Sequence, residues 1–108
     1  MSQRIKLVSG DNRPYIKLTL KDADGAPMNL TAATVRVYFR AAGTTTILST
    51  IPCTLIGGGS TGEAQFNFPG TTLDVPAGAY EGEVEVDFGG EIQTVYDVLK
   101  FQVREQFD

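Results

Sequence analysis

A chain of 108 residues, 42% hydrophobic and 20% charged, has the size and balance of a single domain spanning 1–108, able to bury about two thirds of its unfolded surface. Its net charge of −4 without any cluster of Lys or Arg along the sequence argues against a nucleic-acid partner. Apolar runs as short as Ile47-Leu48 and Val98-Leu99 exclude a membrane span, which needs about 20 residues.

Taken in order, the segments between turn signals alternate with period two, and no stretch keeps an apolar stripe at helical spacing. Arg4–Val8 reads as a first strand and carries none of the continuous apolar core of a signal peptide. Ser9-Gly10-Asp11-Asn12 closes it with residues that favour turns. From Pro14, the strand Tyr15–Lys21 points Ile16, Leu18 and Leu20 one way and Tyr15, Lys17, Thr19 and Lys21 the other, as a half-buried antiparallel strand does. Asp22-Ala23-Asp24-Gly25-Ala26-Pro27 breaks it. Thr34–Ala41 then alternates Val35, Val37 and Phe39 with Arg36, Tyr38 and Arg40.

A strand or a pair of short strands is expected across Thr44–Ile56, with Pro52 at a sheet edge or bulge because it has no ladder donor. Gly57-Gly58-Gly59-Ser60-Thr61-Gly62 reads as a mobile tip available to a partner. Ala64, Phe66 and Phe68 give the next inward face, followed by Leu73 and Val75. Tyr80–Phe88 is the strongest strand: Tyr80, Gly82, Val84, Val86 and Phe88 face one side, Glu81, Glu83, Glu85 and Asp87 the other. Gly89-Gly90 suits a two-residue hairpin, since glycine accepts positive φ at both positions. Beyond it, Ile92 and Thr94 keep one phase and Leu99, Phe101 and Val103 the opposite one, which predicts a bulge or bend near Tyr96-Asp97.

Seven to eight short strands with turns about every 8–12 residues predict an immunoglobulin-like antiparallel β-sandwich, with a small barrel as the rival. Ala77-Gly78-Ala79-Tyr80 has the form of a tyrosine corner. Gly82 stands where an antibody-type domain has its second cysteine, and the sequence has no Trp.

The chemistry available is narrow. No histidine is present, so His-based acid–base catalysis, His-dependent triads and the commonest zinc sites are excluded. The single Cys53 has no internal disulfide partner and reads as a small core or strand residue. Asp22-Ala23-Asp24-Gly25 lacks the later ligands of a calcium loop and reads as a turn. Glu81, Glu83, Glu85 and Asp87 lie about 7 Å apart along one open face, without the desolvated cleft that tunes paired carboxylates. No catalytic, cofactor-binding or metal-binding residue is therefore assigned.

Charge is unevenly divided: residues 1–54 hold seven basic and three acidic side chains, residues 55–108 two and ten. Immunoglobulin-like topology sets Arg36 and Arg40 beside the acidic row, where cross-strand pairs contribute about 0.2–1 kcal/mol each. The competing reading is a head-to-tail contact between oppositely charged faces of two copies. The candidate interaction surface thus comprises Arg36, Arg40, Glu81, Glu83, Glu85 and Asp87, together with Gly57, Gly58 and Gly59 of the loop.

In their order and spacing, Gly10-Asp11-Asn12-Arg13-Pro14, Ile16-Lys17-Leu18-Thr19-Leu20, Asp22-Ala23-Asp24-Gly25-Ala26-Pro27, Asn29-Leu30-Thr31, Ala77-Gly78-Ala79-Tyr80-Glu81-Gly82-Glu83-Val84 and Leu99-Lys100-Phe101-Gln102-Val103 resemble the immunoglobulin-like N-terminal domains of phage baseplate upper proteins and related tail components. The resemblance implies a non-enzymatic structural component of a phage or prophage virion, an assembly or adaptor module without cofactor. It also implies homo-oligomerisation, other tail and baseplate proteins as partners, and assembly in the host cytoplasm. The alternative is a carbohydrate- or receptor-binding module of a fibre or cell-surface protein, using Tyr15, Tyr38 and Tyr96 or the Gly57–Gly62 loop.

Overall fold

The computed structural model describes residues 4–22, 24–95 and 98–107. The expected half-buried strands form, because a period-two alternation of apolar and polar residues can bury one face only in a pleated sheet. Nine strands are described: β1 (Arg4–Val8), β2 (Ile16–Thr19), β3 (Thr34–Ala41), β4 (Ser49–Pro52), β5 (Thr54–Leu55), β6 (Glu63–Phe66), β7 (Gly78–Asp87), β8 (Ile92–Thr94) and β9 (Leu99–Arg104). They make two sheets packed as an all-β sandwich, not a closed barrel. The larger runs β1-β9-β7-β3-β4 with β8 also paired to β7, and the smaller runs β2-β6-β5.

Two details differ from the expected pattern. The count exceeds seven or eight because the stretch after the Gly89-Gly90 hairpin divides into β8 and β9. The pairing is not wholly antiparallel either, since β1 lies parallel to β9 with Ile5 opposite Phe101 and Leu7 opposite Val103. The chain changes sheet at Cys53, between β4 and β5, and Pro52 ends β4 at the edge of the larger sheet.

The inward rows meet in one core. Val35, Val37 and Phe39 of β3, Val84 and Val86 of β7, and Phe101 and Val103 of β9 face Leu18, Leu20, Phe66 and Phe68 from the smaller-sheet side. Aromatic rings join the two layers. Phe39 stacks on Tyr80 with centroids 5.2 Å apart, and Phe68 meets the edges of Phe39 and Phe101 at 6.0 and 5.9 Å. Such pairs add about 0.5–1.5 kcal/mol beyond the area they bury. The tyrosine corner forms: the Tyr80 hydroxyl donates to the Pro76 carbonyl at 2.6 Å. At Gly82 a Cβ would come within 2.9 Å of Val37 Cγ1 and 3.0 Å of Phe101 Cε2. Val37 and Phe101 therefore fill the space beside Gly82.

The Gly57–Gly62 segment is not a mobile tip. A 3₁₀ turn at Gly57–Gly59 docks it onto the chain between Leu20 and Leu30. Leu30 N–H donates to the Gly59 carbonyl and Leu20 N–H to that of Gly62, both at 2.8 Å. A Cβ on Gly62 would stand 2.5 Å from the Leu20 oxygen and one on Gly59 3.0 Å from the Leu30 backbone. These glycines are selected by close backbone approach together with positive φ. Phe88, expected on the inward row, lies beyond the end of β7 and is exposed.

The bend expected near Tyr96-Asp97 lies outside the described residues. On either side of it, Thr94 lies opposite Glu85 and Leu99 opposite Gly82. The returning chain gains an offset of two residues on β7, and an even offset keeps each residue on its own face. Ile92 accordingly points outward beside Asp87 and is exposed, whereas Phe101 and Val103 point inward.

Candidate functional site

The outer face of the larger sheet gathers most of the candidate residues. In the antiparallel register of β3 and β7, Arg36 lies opposite Glu85, Tyr38 opposite Glu83 and Arg40 opposite Glu81. Alternation turns all six away from the core, and the side chains then pair diagonally as well as directly. Arg36 Nη2 donates to Asp87 Oδ2 at 3.1 Å. Arg36 Nε stands 2.8 Å from Glu85 Oε1, a charge contact without an aligned N–H. Arg40 Nη2 is 3.2 Å from Glu81 Oε1, and the Tyr38 hydroxyl donates to Glu85 Oε1 at 2.9 Å.

Asp87 also fastens the hairpin. Its Oδ1 accepts from the amides of Gly89 and Gly90, both at 2.9 Å. Those two amides, then Arg36, hold its carboxyl below the ordinary carboxylate range. The Tyr38 phenol is pushed up, first by its hydrogen bond to Glu85 and next by burial. Across the molecule, Lys17 sits 2.9 Å from Glu63 and lowers its pKa.

Glu81, Glu85 and Asp87 are thus occupied by the arginines of the neighbouring strand, while Glu83 has no ion pair among the described residues. A row engaged in this way is neither a set of free carboxylates for acid–base work nor an open cation site. Three of the four carboxylates that a head-to-tail contact would use are likewise engaged inside one sheet.

The loop glycines belong elsewhere. Gly57 and Gly58 are exposed with open space around them, but Gly59 is buried and offers no surface to a partner. Tyr15, 62% exposed, precedes β2 at the smaller sheet, whereas Tyr38 is half-buried on the larger one. These two do not share a surface, and Tyr96 lies outside the described residues. Burial pushes the Cys53 thiol up to about 12, so it stays protonated and unreactive at neutral pH. The Asp22 carboxylate is spent on its turn, accepting from the amides of Asp24 and Ala26 at 3.0 and 3.1 Å.

Sequence reasoning missed one group. Arg4 and Lys6 of β1 and Lys100 and Arg104 of β9 all point outward on the same face as the acidic row, and all are exposed. They are far apart in sequence, and only the parallel pairing of the first and last strands unites them. The even-numbered polar positions of both strands carried the signal, but the parallel partner had to be known. No protein-family model and no curated protein matches the chain.

Proposed function

We propose that this chain is a non-enzymatic assembly module that joins neighbouring proteins through its sheet edges, and that it serves as a building part of a phage tail or baseplate. The observation that carries the reading is an aromatic-filled core with edge strands at the margins of both sheets. β1 and β4 bound the larger sheet and β2 and β5 the smaller one among the described residues. Uncovered edges present unpaired backbone groups on which a partner strand can be added. The ordered likeness to baseplate upper proteins supplies the virion context. Its segments coincide with the turn after β1, with β2, with the Tyr80 corner and with β9.

The test is mass spectrometry of gradient-purified tailed particles from a strain that carries the gene. The expected result is this chain at a fixed copy number relative to the other tail proteins. Particles that lack it would contradict the virion assignment.

A further inference from the structure

We infer that the β1–β9 face of the larger sheet binds an acidic, extended segment of a different protein. Arg4, Lys6, Lys100 and Arg104 face the same side, and none of them has an ion-pair partner among the described residues. Glu81, the carboxylate opposite Lys100, is already held by Arg40. Arg4 lies directly across from Lys100, a like-charge neighbour that costs stability unless a counter-charge arrives. Beside them a surface hollow of about 210 Å³, lined by Lys6, Leu7, Val8, Gln102 and Arg104, has walls that are nearly all hydrocarbon. The site therefore offers a basic rim for carboxylates and an apolar seat for one anchoring side chain.

Lysine on an edge strand also discourages aggregation. That explains Arg4 and Lys6 on β1. It leaves Lys100 unexplained, because β9 is an interior strand, and it accounts for no apolar hollow. Arg104 donates to the Glu105 carbonyl at 2.9 Å and lies 5.0 Å from the Phe107 ring centroid, contacts that leave its charge without a carboxylate. A second copy is a poor occupant: Arg36 and Arg40 hold Glu81, Glu85 and Asp87 of the β7 row, and the one carboxylate of that row left without an ion pair among the described residues, Glu83, makes no complementary stripe. A separate acidic chain fits the charge and the spacing, since alternate residues of an extended strand repeat at about 7 Å.

The choice of a protein ligand rests on the assembly role proposed above, and the two fail separately. Presence of the chain in particles without peptide binding would sink this inference alone.

The probe is a fluorescein-labelled peptide of about ten residues that alternates Glu and Thr around one central Phe, followed by anisotropy. Binding should weaken about tenfold or more in the Lys6→Glu/Arg104→Glu double variant. It should also weaken with added salt and be unchanged in Lys17→Glu/Lys21→Glu, which alters the other sheet. Lys6→Ala/Arg104→Ala replaces the charge-reversed variant if that one fails to fold. No binding, equal loss in both double variants, or tighter binding of heparin or a short DNA duplex at this face would overturn the inference.

Discussion

The outer face of the larger sheet has two halves built on one core, and they treat charge in opposite ways. Between β3 and β7, positive and negative side chains alternate across the register and bind one another at 2.8–3.2 Å. Between β9 and β1, cations from the two ends of the chain lie side by side without an ion-pair partner among the described residues. The first half contains the charges most conspicuous in the sequence, and the fold consumes them. The second contains charges that look scattered in the sequence, and the fold concentrates them. A charge row is therefore informative about binding only after its cross-strand neighbour is known.

The comparison breaks most completely if the shared core is lost. Phe101 is fully buried and packs against Phe39 and Phe68, so Phe101→Ala should cost about 3–5 kcal/mol in urea unfolding and disorder both halves together. Gly62→Ala should come next. It forces a Cβ against the Leu20 carbonyl at a φ of +76°, with an expected loss of about 1–3 kcal/mol. That change would leave the charged face intact in any protein that still folds.

The two halves themselves separate under acid. Because the folded pKa of Asp87 is depressed, its contribution is fully present above the ordinary carboxylate pKa and is lost as pH falls through the folded value. Asp87→Asn should therefore flatten the acid limb of a stability–pH curve measured by thermal melting. Lys6→Ala and Lys100→Ala should leave that limb unchanged. The smallest effect is the coupling of Arg40 with Glu81, for which a double-mutant cycle should return about 0.5 kcal/mol, reduced by salt.

Much of the fold was legible in the sequence because the half-buried strands carry strict alternation, and the tyrosine corner and the Gly89-Gly90 hairpin have local chemistry that specifies them. The docking of Gly59 and Gly62 was not legible. A run of glycines reads as freedom, while here the missing side chains admit the backbone of Leu20 and Leu30. The facing of Ile92 was not legible for a related reason: it is an exposed isoleucine that stands outward beside Asp87 on a hairpin strand, and hydrophobicity alone does not say which face such a residue takes. On the candidate site, Arg36 and Arg40 beside the acidic row followed from topology alone. Tyr38 as a third ligand and the hairpin amides on Asp87 required the actual register.

The central claim is that Arg36 and Arg40 hold three of the four carboxylates of the β7 row within one sheet, so that the row is engaged inside the molecule and not between copies. Light scattering on the purified chain, over a range of concentrations at low and at high salt, tests it most directly. A molar mass that does not change with salt is the expected result, whereas an oligomer at low salt that dissociates as salt rises would contradict it.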